Sequence, residues 1–123
     1  MFNTSYYTVK EFKYAHFDII VDWTYEDTAI RDCFDEEVSD VAEMERRCEA
    51  YLDTHYIARV RAMYDGVEMG SASLGSCYAY DCSPEDDIND GLCGYLEDMI
   101  EEAVDEARNE AVRMLDRLKE DFL

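Results

Sequence analysis

Positive charge is scarce in this chain: 11 Lys and Arg stand against 31 Asp and Glu, a formal net charge of −20 at pH 7. Proteins bind bare nucleic acid and anionic lipid through Lys and Arg, so a surface of this sign is repelled by both. The deficit is also local, because no Lys or Arg occurs between Ala62 and Ala107. No stretch approaches 18 apolar residues, and the start MFNTSYYTVKEF has no basic leader followed by an apolar run. Neither membrane spanning nor secretion is therefore expected. With one proline and five glycines, no repeat, linker or low-complexity block interrupts the sequence, and residues 1–123 read as one domain.

Motifs for chemistry are equally sparse. The five cysteines (Cys33, Cys48, Cys77, Cys82, Cys93) are odd in number and lack the C-x-x-C spacing of zinc ribbons and thioredoxin-like sites. They read as small, buried, reduced thiols of a cytoplasmic protein, with Cys48 on an apolar helix face. The two histidines, His16 in a turn and His55 before a strand, have no cysteine at zinc-ligand spacing, so each is expected as a surface or strand-end residue and no metal or cofactor is expected. Asp81–Leu92 (DCSPEDDINDGL) fails as a calcium loop, because its sixth residue is Asp86 where glycine is needed and its twelfth is Leu92 where glutamate is needed. That leaves no more than an incidental Ca²⁺ or Mg²⁺ contact. No G-x-S-x-G elbow or Gly-rich phosphate loop occurs, and acids are too abundant for any pair to mark a glycosidase. Enzymatic activity is not expected.

What is present is enough to fold: an apolar fraction of 48% with ten Tyr and five Phe offsets chain entropy without a staple. Tyr6–Phe12 and Phe17–Trp23 alternate with period two and predict two strands joined through Lys13–His16. From Asp35, apolar residues at Val38, Val41, Ala42, Cys48 and Leu52 predict an amphipathic helix of about four turns, with Tyr25–Phe34 before it open between loop and helical turn. Tyr56–Tyr64 and Val67 onward form a second hairpin about Asp65-Gly66, a type I′ signal. Its return strand runs to Leu74 or, with a bulge or bend at Gly70 or Gly75, to Tyr80. Ser83-Pro84-Glu85 starts a short helix that Gly91 and Gly94 close. Leu96, Ile100, Ala103, Ala107, Ala111, Met114, Leu118 and Phe122 then make a long helical stripe. The expected class is α+β, a four-stranded and largely antiparallel sheet of two hairpins packed with about three helices, the last one long.

The base-free window carries the functional expectation. Asp98, Glu102, Glu106 and Glu110 fall in one row at four-residue spacing on the last helix, and Glu97, Glu101 and Asp105 in the row beside it. Like charges so spaced destabilise a helix by a few tenths of a kcal/mol, roughly, per pair. Acids near a helix start complement its dipole, which is the ordinary reading of Glu97–Asp105. An uninterrupted set without Lys or Arg is unusual for a solvated face. Together with Glu85, Asp86, Asp87 and Asp90 at one end, these rows imitate the regular negative charge of a nucleic-acid backbone.

In small size, acidity, abundant Tyr and few Lys, and in the helix EDMIEEAVDEARNE, the chain resembles the acidic DNA-mimic inhibitors of phages and mobile elements, among them anti-restriction and anti-CRISPR proteins. The run ARVRAMYDGVEMG is also similar to segments of small phage proteins. The resemblance implies a phage-type inhibitor of a host defence nucleoprotein, a restriction enzyme or CRISPR effector, whose basic DNA- or RNA-binding site it blocks in the bacterial cytoplasm. Its partner-binding residues would be the eleven acids just named, supported by a tyrosine patch drawn from Tyr6, Tyr7, Tyr14, Tyr25, Tyr78 and Tyr80. Arg59 and Arg61 share a strand face and are expected to pair with acids on neighbouring helices. Two other readings compete: an acidic adaptor or chaperone-like module that holds a basic protein with no nucleic-acid competition, and halophilic solubility with no partner implied. Repulsion between two chains of this charge favours a monomer.

Overall fold

The computed structural model describes residues 5–123; the first four, which entered the leader argument above, lie outside it. The chain runs β1 (Tyr7–Tyr14), β2 (Phe17–Tyr25), α1 (Ile30–Cys33), α2 (Val41–Glu49), β3 (Thr54–Tyr64), β4 (Val67–Ala79), α3 (Pro84–Asn89), a 3-10 turn over Leu92–Gly94, and α4 (Tyr95–Phe122). The strands form one antiparallel sheet in the order β1-β2-β3-β4. This is the expected α+β architecture with one helix more, because α1 and α2 both lie between the hairpins.

Both hairpins close on two residues with positive φ, Ala15 and His16 in the first and Asp65 and Gly66 in the second. That geometry matches the right-handed strand twist. Strand β1 therefore runs through Lys13 and Tyr14, which the sequence had placed in the turn. In β4 the register slips between Cys77 and Leu74 opposite Tyr56 and Ala58. Gly75 and Ser76, the latter with φ 54°, form that bulge, and the strand continues past it. Gly70 has a different job, described below.

Period-two alternation splits the sheet into two faces. Phe17, Ile19, Val21 and Trp23 of β2, Tyr56, Ala58, Val60 and Ala62 of β3 and Ala72 of β4 are buried with Leu96, Met99, Ala103, Val104 and Ala107 of α4. The side chains on β3 beneath the helix are small, which lets α4 settle close to the strands. At Gly70 an added Cβ would lie 2.2 Å from the Ala103 carbonyl oxygen and 2.6 Å from the Ala107 backbone nitrogen, so the residue is the contact point of sheet and helix.

The opposite face is covered at one end only. Helix α2 is nine residues long, not four turns, because the Asp40 side chain accepts the Glu43 N–H and caps it there, while Tyr51 at φ 60° ends the helical path. Val38 and Leu52 consequently fall outside the helix and are exposed. Its docking is polar: Arg47 donates to Asp53 from Nε at 2.8 Å and from Nη2 at 3.0 Å, and Asp53 also accepts from Tyr78 Oη and from the Asp81 N–H at 2.8 Å. Burial alone would push the Asp53 carboxyl up, yet these donors outweigh it and hold the group below its ordinary value.

Beyond α2 the same face presents a charged centre. Asp22 is almost fully buried and accepts from Arg59 Nε at 2.9 Å and Nη2 at 2.7 Å and from Arg61 Nη2 at 3.1 Å. Tyr6 stacks under the Arg59 guanidinium at 3.5 Å. The two arginines thus pair across the sheet with a strand acid, and with Glu68 at 4.0 Å from Arg61, in place of the expected helix acids.

Candidate functional site

Helix α4 has two halves. Through Ala107 its apolar stripe is buried against β3 and β4; beyond Ala107 every residue except half-buried Glu110 is exposed, including Val112, Met114, Leu115, Leu118 and Phe122. The helix outruns the sheet, so the stripe seen in the sequence is core only over its first three turns.

In that docked half the acids fill the outward arc. With 3.6 residues per turn, the buried stripe Leu96-Met99-Ala103-Ala107 leaves Asp98 and Asp105 pointing away from the sheet. Glu97 and Glu101 flank the β1 side, where Glu101 accepts from Tyr14 Oη. Glu102 and Glu106 flank the β4 side, where the Glu106 Cβ lies over Gly70. All six are exposed. They lie within about 14 Å of helix rise, about one carboxylate per 2.3 Å, against about one phosphate charge per 1.7 Å of duplex axis. Asp105 has Arg108 at 3.8 Å. Among the described residues Glu97, Asp98, Glu102 and Glu106 make no ion pair, and neither does exposed Asp90, which precedes the helix.

The remaining expected site residues are diverted to structural work. Glu85 accepts from Trp23 Nε1 at 2.8 Å. Asp86 completes a capping box with Ser83, its carboxylate taking the Ser83 N–H at 3.2 Å and its own N–H donating to Ser83 Oγ at 3.2 Å. Asp87 accepts from Tyr56 Oη at 3.0 Å and faces Cys82 Sγ at 3.5 Å. Burial, and then the charge of the neighbouring Asp87, push the Tyr56 hydroxyl well above its ordinary value and the Cys82 thiol to about 11. Glu110 lies beyond the sheet and pairs with Arg113 at 2.7 Å. The exposed acidic surface therefore comprises the six acids of α4 with Asp90, and the outer side of Asp86 at one end, while Glu85, Asp87 and Glu110 are half-buried.

Aromatic side chains adjoin the α3 end. Tyr7, Trp23 and Tyr25 pack together, with ring centroids 4.8 Å apart for Tyr7 and Trp23 and 5.0 Å for Trp23 and Tyr25. Tyr7 and Tyr25 remain exposed beside the Glu85 that holds the Trp23 indole. Tyr78, by contrast, is half-buried among Asp53, Cys48 and Met44. Tyr80 covers the Arg47 guanidinium at 4.3 Å.

A cleft of about 410 Å³ opens between the β4 bulge and the α3–α4 junction, with Tyr56, Leu74, Cys77 and Cys93 among its walls. Burial pushes the Cys77 thiol to about 11, which makes it a poor nucleophile. The expectation of five buried cysteines is not met: Cys93 is exposed, and Cys33, Cys48, Cys77 and Cys82 are half-buried.

No family model, curated protein or solved structure matches this chain. No helix of the described residues is long and apolar enough to cross a membrane.

Proposed function

We propose that the protein is an inhibitor that presents the α4 carboxylates in place of a nucleic-acid backbone and occupies the basic DNA- or RNA-binding site of another protein. The observation that carries the reading is the charge density of the outward arc of α4: Glu97, Asp98, Glu101, Glu102, Asp105 and Glu106, spaced at about three quarters of the linear density of duplex phosphate and free of interleaved Lys or Arg. Among the described residues, Glu97, Asp98, Glu102 and Glu106 make no ion pair, so a partner's Lys and Arg would meet unpaired carboxylates and release counterions on binding. At the α3 end, exposed Tyr7 and Tyr25, packed on buried Trp23, supply rigid aromatic area for specificity. Partners of this kind include the restriction enzymes and CRISPR effectors of a bacterial host, met in the cytoplasm, and the action requires no catalysis.

A second reading, an acidic adaptor for a basic protein with no nucleic-acid competition, draws on the exposed stripe Val112-Leu115-Leu118-Phe122. An apolar ridge suits a protein partner and adds nothing to phosphate mimicry.

The two separate in one experiment. The protein is immobilised, a bacterial lysate is passed over it at low salt, and elution is attempted with duplex DNA, with RNA and with salt. A nucleic-acid-binding protein released by DNA or RNA, and not retained by the Asp98→Asn/Glu102→Gln/Glu106→Gln variant, supports the mimic. Retention indifferent to nucleic acid and to the triple variant overturns it in favour of the adaptor.

A further inference from the structure

We propose that Glu26, Cys33 and His55 form a binding site for a zinc-class divalent ion. A Glu26 carboxylate oxygen, the Cys33 sulfur and a His55 ring nitrogen all lie within 4.8 Å of one another. They come from three separate pieces of chain: the residue after β2, the last turn of α1 and the second residue of β3. No sequence spacing announces such a set, which is why the reading of the histidines and cysteines above found no ligand pattern.

Three further observations point to a ligand here. His55 is buried, with 8% of its surface exposed, and its Nε2 has no hydrogen-bond partner. An orphaned imidazole nitrogen inside a protein costs about 1–3 kcal/mol, a cost that a metal bond at Nε2 would remove. The Glu26 carboxylate is already oriented, because its Oε1 accepts from the Ser76 N–H at 3.1 Å and faces Ser76 Oγ at 3.5 Å, leaving Oε2 free. Outer partners that fix a ligating carboxylate are a regular part of metal sites. The backbone frames the set: the Glu26 N–H donates to the His55 carbonyl at 3.1 Å, and the Phe34 ring stands 5.7 Å from the imidazole. Burial pushes the His55 imidazole below its ordinary value, with Glu26 opposing only in part.

The donor set selects the ion. Thiolate, imidazole and carboxylate together suit zinc and its neighbours, while Ca²⁺ and Mg²⁺ take oxygen shells. Tetrahedral zinc holds such donors about 3.3 to 3.7 Å apart, so a set already within 4.8 Å closes by no more than about 1.5 Å on binding. The Cys33 thiol loses its proton to solvent as the S–Zn bond forms. Three protein ligands leave the fourth position to water, on the side where Cys33 and Glu26 are half-exposed. Bound metal would fasten the α1 segment to the sheet.

The test uses the full-length chain, stripped with chelator under reducing conditions and titrated with Co²⁺, then Zn²⁺ against a competing chelator. One ion per chain with a near-ultraviolet thiolate-to-cobalt band is expected. Cys33→Ser should abolish that band and weaken zinc binding at least about 100-fold, a larger loss than outer-shell changes give. Glu26→Gln should weaken binding in the same direction, and Cys93→Ser, which removes an exposed thiol elsewhere, should change neither. Circular dichroism establishes that each variant is folded, and the half-exposed positions 26 and 33 tolerate these near-isosteric changes. A wild-type chain that takes up metal no more tightly than Cys33→Ser, or a thiolate band that survives Cys33→Ser and disappears with another cysteine, overturns the site.

Discussion

The Ala103 carbonyl of α4 sits directly over Gly70 of β4, so near that a Cβ on Gly70 would lie 2.2 Å from the oxygen. Both partners are backbone and neither can rotate away. Gly70→Ala should lift the helix from the sheet and destabilise the protein by about 3 kcal/mol. Urea denaturation measures this; a loss under about 1 kcal/mol would mean that the helix rides higher than described.

Asp22 should be the most sensitive charge in the chain. Arg59 and Arg61 both converge on it in a buried setting, and Asp22→Asn leaves two guanidinium groups competing for one neutral amide. Breaking a buried pair from one side costs about 3–5 kcal/mol. Glu68→Gln, at the exposed margin of the same cluster, should cost under about 1 kcal/mol. Equal effects in thermal melts would refute the division between buried centre and rim.

Acid sensitivity should trace to Asp53. Its folded carboxyl sits below the ordinary value of 3.8, so the folded state binds fewer protons than the unfolded one in that window. Its contribution is therefore complete above about pH 4 and disappears as the pH falls through the depressed folded value. The useful quantity is the stability difference between wild type and Asp53→Asn across pH 2–6, which should shrink toward the acid end; a difference independent of pH would rule out Asp53 as the titrating group.

Neutralising the helix should stabilise the fold while weakening the proposed partner. Asp98, Glu102 and Glu106 are successive like charges four residues apart, and removing them relieves about 0.2–0.5 kcal/mol per pair. Asp98→Asn/Glu102→Gln/Glu106→Gln should melt slightly higher than wild type at low ionic strength, with the gap closing as salt screens the repulsion. A variant that melts lower would show that the carboxylates serve the fold.

The strands, the second hairpin turn and the Ser83 cap were legible because each rests on a local rule: period two in Phe17–Trp23, Asp-Gly at 65–66, Ser-Pro before acids. The extent of α2 was not, since Val38 and Leu52 fit the helical period while the Asp40 cap and the Tyr51 backbone end the helix inside it. Periodicity also could not tell that Met114, Leu118 and Phe122 continue the stripe without a surface to meet. For the acidic face the row spacing on α4 was readable, whereas the diversion of Glu85 to Trp23 and of Asp87 to Tyr56 depends on contacts across 62 and 31 residues. The Glu26, Cys33 and His55 grouping is of that long-range kind throughout.

The order of elements leaves the sheet's apolar face dependent on the segment that follows all four strands. Sequence neighbours pair throughout the sheet, so the two hairpins can zip locally and early, but the helix that seals their apolar face is the last segment of the chain. Until α4 docks, Val21, Val60 and Ala72 stand uncovered on a four-stranded sheet with two open edges, a species prone to self-association. The charge that strains the finished helix is already present on such half-made chains. Mutual repulsion at −20 keeps them apart in solution, so the acidity also acts as a colloidal safeguard while the core is still open.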